Sequence, residues 1–269
     1  MPCRARLLLL VTLAACGGSR PPPASTTADT ETTAAEEPDV APIAAAPEAH
    51  VRLVHAAIES RDQAVSLAAD GTSTAPAGYQ FASAYLSLSP GEHAISARAN
   101  DAELIGASFS LEEGSATIIA YSTGDFPVAL VLAADVPADA PVNMAQIRFF
   151  HAVVGQGAID VCTPPATGRG DGTAILANVA PGSLAASDGS YVTVPGGSEI
   201  ALQIRAQNTT PCHGRPIGTV HGFAPAGSSN YTLILVGRSG RRRVAPELLF
   251  CADPPASDTS CATLEVDAT

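Results

Sequence analysis

The sequence predicts an all-β protein: two tandem β-sandwich domains after a disordered N-terminal tether. Three observations carry this. Glycine and proline number 23 and 22 in 269 residues, and charged residues make up only 15%. Short apolar or alternating runs stand between these turn residues, a pattern that suits strands better than helices. The run VRLVHA at 51–56 also returns as IRFFHA at 147–152, so one unit is used twice.

The N-terminus is an address. Arg4 and Arg6 precede an unbroken apolar run from Leu7 to Ala15, too short to span a bilayer and built like a secretory signal. Its ending, Leu13-Ala14-Ala15-Cys16, resembles the bacterial lipobox. That resemblance implies cleavage after residue 15 and diacylglyceryl attachment to the Cys16 thiol. The alternative is an ordinary signal peptide cut after Ala14 or Ala15, with Cys16 an incidental thiol. Each buried methylene contributes about 0.8 kcal/mol, so several acyl chains would hold the protein stably at the membrane. Gly17 follows the cysteine in place of the aspartate that commonly retains such proteins at the inner membrane, which favours an outer-membrane or cell-surface destination.

Residues 16–50 are rich in proline, threonine, alanine and acid, with almost nothing large and apolar to bury. They read as a tether with a reach of about 30 Å from flexible-chain scaling.

The folded part is expected as domain 1 over 51–136, domain 2 over 142–252 and a C-terminal tail over 253–269, with 137–141 a short stiff linker. In domain 1, strands are predicted near 51–56, 63–69, 83–88, 93–99, 104–111, 115–121 and 128–132. This number of short strands in one domain suits an immunoglobulin-like sandwich. Further echoes keep chain order. Tyr85-Leu86-Ser87-Leu88 is answered by Tyr191-Val192-Thr193-Val194, Ile105-Gly106 by Ile217-Gly218, and Ala116-Thr117-Ile118-Ile119-Ala120 by Tyr231-Thr232-Leu233-Ile234-Leu235.

The paired signatures, each followed by a tyrosine strand running into a Pro-Gly turn, resemble the bacterial domain-of-unknown-function family 4397 over roughly residues 50–252. The resemblance implies a secreted or lipid-anchored protein carrying the domain in tandem, and it implies no activity. The first copy departs from the family pattern at Ala57-Ile58-Glu59-Ser60, where a turn with aspartate and proline is usual.

Several chemistries are excluded. All 14 basic residues are arginine, which removes Schiff-base chemistry, Walker-type phosphate loops and lysine general bases. A formal charge of −12 speaks against nucleic acid as a partner. No GxSxG elbow occurs. The histidines show no HExxH or finger spacing, and no calcium loop is spelled out, although acids such as Asp135 and Asp139 offer weak sites. No metal or cofactor is expected.

The remaining candidates have structural readings. On alternating strands His55 shares a face with Val51 and Leu53, and His151 with Ile147 and Phe149. An imidazole at the end of an apolar row is expected to bond loop backbone and close the sandwich end. Tyr85 and Tyr191 are expected to pack, with bonded hydroxyls. Cys162, Cys212, Cys251 and Cys261 form an even set in an exported chain, hence two disulfides. Of three possible pairings, order and loop length favour Cys162 with Cys212 and Cys251 with Cys261. Arg169-Gly170-Asp171 reads as turn chemistry, and Arg241-Arg242-Arg243 as a solvated hairpin tip.

The expected function is that of a lipid-anchored cell-envelope protein, a non-catalytic binding or structural module whose partner is an envelope or extracellular protein or a glycan. The competing readings are an envelope hydrolase using a loop histidine and an acid, and an accessory subunit of an envelope complex.

Overall fold

In the computed structural model, residues 46–124, 128–135, 140–165, 171–185, 190–240, 243–254 and 260–268 are described. The signal segment 1–15, Cys16 and nearly all of the expected tether lie outside them.

The first half consists of β1 (Ala49–Ala56), β2 (Val65–Ala69), β3 (Thr72–Ser73), β4 (Leu86–Leu88), β5 (Gly91–Ala99), β6 (Ala102–Leu111), β7 (Gly114–Ser122) and β8 (Val128–Asp135). Local chemistry sets its hairpins. Asp70-Gly71 joins β2 to β3 and Asn100-Asp101 joins β5 to β6, all four residues at positive φ, the backbone that tight two-residue hairpins demand. Two sheets result, in the orders β4-β1-β7-β8 and β3-β2-β5-β6. Ala57-Ile58-Glu59-Ser60, expected as a loop, holds a single 3-10 turn over Ile58–Ser60.

The second half consists of β9 (Met144–Val154), β10 (Ile159–Thr163), β11 (Thr173–Val179), β12 (Val192–Pro195), β13 (Ile200–Ala206), β14 (Pro216–Phe223), β15 (Ser229–Arg238), β16 (Val244–Ala252) and β17 (Cys261–Ala268). Its strand order is β11-β10-β13-β14-β17-β16-β15-β9-β12. Without β17, that is the order of the first half over again, including a parallel pair, β1 with β7 and β9 with β15.

Two expectations need correction. The segment 253–269 is not a tail: β17 pairs with both β14 and β16 and joins the two sheets of the second half. Gly218 makes the β14 pairing possible, since a Cβ there would meet Val266 Cγ1 at 2.5 Å and the Asp267 carbonyl at 2.7 Å. The short polar and acidic composition of the segment hides its role, because among its described residues only Leu264 and Val266 pack on the second core and Cys261 on the shared one. The tether also ends early, since β1 begins at Ala49.

Each half has its own core, and a third core joins them. Val51, Leu53, Leu67, Ile95 and Ile118 fill the first, and Ile147, Phe149, Val161, Leu233 and Leu248 the second. Val54, Ala56 and Ile119 from the first half meet Phe150, Ala152, Ile234, Val236 and Leu249 from the second. Strands β1 and β9 are thus buried on both faces, which explains why VRLVHA and IRFFHA are apolar on both alternating rows. Residues 45–269 accordingly form one compact unit.

Candidate functional site

In the face shared by the two halves lies a closed polar network, built from the same four residue types in each. Arg52 and Arg148, on β1 and β9, are both within 1% of full burial. Each donates through Nε to a threonine on the neighbouring parallel strand, Arg52 to Thr117 at 3.0 Å and Arg148 to Thr232 at 2.8 Å. These are register partners in their ladders. Each threonine in turn donates to the aspartate of its own half, Thr117 to Asp135 at 2.9 Å and Thr232 to Asp253 at 2.8 Å. Each tyrosine does the same, Tyr85 to Asp135 at 3.1 Å and Tyr191 to Asp253 at 2.7 Å.

The guanidinium tips then cross over. Arg52 donates to the Ala252 carbonyl at 2.8 Å and to Asp253 Oδ1 at 2.6 Å. Arg148 donates to the Ala134 carbonyl at 2.5 Å and pairs closely with Asp135. The rings of Tyr85 and Tyr191 lie 5.4 and 5.1 Å from the guanidinium carbons of Arg52 and Arg148 respectively, so each cation also meets an aromatic face. Burial holds both phenols well above the ordinary tyrosine value, with the neighbouring aspartates adding to the effect and the arginines opposing it. They remain donors throughout the physiological range. Unpaired, any one of these charges would be very costly at this depth; the network satisfies them all.

His55 and His151 occupy equivalent places at the ends of their apolar rows, both fully buried. Backbone N–H groups of Ala57 and Val153 donate to their Nδ1 atoms, at 3.4 and 3.2 Å. Nε2 of His55 reaches the Ser60 and Gln63 carbonyls at 3.2 Å, and Nε2 of His151 the Gly157 carbonyl at 3.1 Å. A donor at one nitrogen and acceptors at the other select the neutral ring protonated at Nε2. Desolvation lowers both pKa values, while the backbone acceptors pull the other way. His93 has the opposite surroundings: Asp70 accepts at Nδ1, 2.6 Å away, and the Ser89 carbonyl at Nε2, 2.7 Å away. The hydrogen bond to Asp70 is the main reason its pKa rises.

Cys162–Cys212 and Cys251–Cys261 are disulfide-bonded. The second joins directly opposed residues of β16 and β17, and Asp253 lies in the loop it closes. Asp135, considered from the sequence as a weak calcium ligand, is buried against Arg148, and Asp139 lies outside the described residues. Among the described residues no group of three or more histidine, cysteine or acidic residues is placed to hold a metal ion. Of the Arg169-Gly170-Asp171 motif only Asp171 is described, contacting Arg205 and His213. Of the triple arginine only Arg243 is described, in the β15–β16 connection.

Strand alternation puts Arg52 and Arg148 on the outer row, opposite His55 and His151, where no role is expected of them, and the expected domain boundary at 252 stops one residue short of Asp253. Both were detectable. An arginine at the same position of both signatures, in the middle of an apolar strand, implies a buried partner. Extending the repeat one position past Ala252 sets Asp253 against Asp135.

Residues 49–162 match the family model described as "Domain of unknown function (DUF4397)". That match runs from the first residue of β1 into β10 and takes in both signatures, both central arginines and Asp135. No curated protein matches the chain.

Proposed function

We propose that the chain is a lipid-anchored cell-envelope protein that works as a non-catalytic binding or structural module, its second half a second copy of the DUF4397 domain. One observation supports the non-catalytic reading most: the chemistry that recurs in both halves is consumed internally. The arginines, aspartates, tyrosines and threonines of the two halves bond one another, and both signature histidines have both ring nitrogens occupied by backbone. Such a network makes two sandwiches into one stiff body, which suits presenting a surface. The repeated strand order and the matching Arg-Thr-Asp-Tyr sets support the duplication. The anchor reading is supported by the lipobox resemblance at Cys16, and a membrane position follows from it.

The decisive experiment is proximity crosslinking in the native cell, with lipid labelling of wild type and Cys16→Ser in parallel. A defined set of envelope neighbours and labelling that requires Cys16 are expected; equal labelling of both proteins ends the anchor reading. Relatives of residues 142–252 should align to the family, and a set that does not would end the duplication reading.

A further inference from the structure

At one end of the second half, the close of β9, the start of β14 and, from the β15–β16 connection, Ser239, Gly240 and Arg243 line a cleft of about 250 Å³. Its wall includes Arg215, Arg238 and Arg243, three of the eight arginines among the described residues, with Gln156 and Ser239 beside them. Val153, Ile217 and Pro246 add apolar surface, and among the described residues no carboxylate lines the cleft. The three cations are not equivalent. Arg238 pairs closely with Glu59 and donates to the Gly124 carbonyl at 3.1 Å. Arg215 and Arg243 are exposed, and among the described residues their guanidiniums have no hydrogen bond or ion pair.

Two guanidiniums without a counter-charge among the described residues line one concavity in a chain with 26 acidic and 14 basic residues. An anion in the cleft would meet two cations that no described carboxylate neutralises. Their combined charge of about +2 matches a phosphomonoester dianion, which carries about −1.5 to −2 near neutral pH, better than a single carboxylate. Guanidinium forks also present paired donors to phosphate oxygens. The volume admits the anion and a short apolar body against Val153, Ile217 and Pro246. The overall negative charge of the protein opposes this only weakly, since charges beyond about 8 Å are screened at physiological salt.

We infer that this cleft binds the phosphomonoester group of a small amphiphile, through Arg215 and Arg243. The inference rests on the reading of the chain as a binding module and specifies its ligand class. The group has two possible sources, a soluble phosphorylated metabolite or a lipid headgroup.

The test uses the full chain carrying Cys16→Ser, so that no acyl anchor contributes, titrated with hexyl phosphate and with hexanoate. Hexyl phosphate is expected to bind, and hexanoate at least tenfold more weakly. Arg215→Gln and Arg243→Gln should each lower affinity roughly tenfold or more, with unchanged melting, because neither side chain supports the fold. Vesicles of phosphatidylcholine with and without phosphatidate identify the source: phosphatidate-dependent, arginine-dependent binding indicates a lipid, and hexyl phosphate binding alone a soluble ligand. Equal binding by the double variant, hexanoate as tight as hexyl phosphate, or no binding in either arm overturns the inference. Recovery of hexanol and free phosphate would leave the site standing and remove the non-catalytic reading instead.

Discussion

Arg52 and Asp253 form an ion pair at 2.6 Å across 201 positions of chain, both side chains out of contact with water. The equivalent arginine, Arg148, makes the reciprocal pair with Asp135. This exchange ties the two halves together, since each arginine makes its shortest ion pair with the aspartate of the opposite half, and Arg148 also lies 3.9 Å from Asp253 of its own half.

Removing one member should be far worse than removing a pair. Arg148→Met is expected to cost about 3–5 kcal/mol, because Asp135 is left buried without its cation. Combining it with Asp135→Leu should cost much less than the two single changes added together. Urea denaturation of the four proteins in the cycle measures this; strict additivity would mean the pair does not couple.

The shared core predicts joint unfolding. Calorimetry of the wild type should give one transition with equal calorimetric and van't Hoff enthalpies. Phe150→Ala, in the shared core against Tyr121, whose ring centroid lies 4.9 Å away, should lower stability by about 3–5 kcal/mol. Two resolved transitions in the wild type would show that the halves fold separately.

Acidity should reveal three histidines pulling in two directions. Burial holds His55 and His151 below the ordinary histidine value of about 6.5, so the unfolded chain takes up protons first. Their contribution is complete above pH 6.5 and shrinks as pH falls below it. His93 is held above its ordinary value, so it stabilises fully below pH 6.5 and the contribution disappears as pH rises through its folded pKa. His93→Gln should therefore steepen the loss of stability between pH 7 and 5. A slope unchanged or shallower in that variant would contradict the assignment.

The disulfides should matter in proportion to their loops. On chain entropy, removing Cys162–Cys212 should cost about 4 kcal/mol and Cys251–Cys261 about 3 kcal/mol. The second loss should also loosen β17, read as faster amide exchange at Val266 and Asp267 than at Leu233. Thiol counting on the oxidised folded region should find none free among these four cysteines; four reactive thiols would refute both bridges.

Much of the strand layout was legible because alternation and turn residues are local signals: Asp70-Gly71 marks a hairpin whatever surrounds it, and Val51, Leu53 and His55 share a row by geometry alone. The role of 253–269 was not legible. Its strand is made by partners on both sides and by a staple from Cys251, and a two-sided ladder can hold a strand with little apolar content. The central network was half legible, since the repeated arginine is visible in the hexapeptides while its partner lies in the opposite half of the chain.

By itself the sequence determined the all-β class, the repeated signature and the residues available for chemistry, because strand alternation and turn preference act over a few positions. Only the tertiary structure decided that the outer rows of β1 and β9 face each other's halves, that Arg52 takes Asp253 in place of Asp135, and that Arg215 and Arg243 border one cleft. Those are distances between segments remote in the chain, set by how whole sheets pack, and no local preference encodes them.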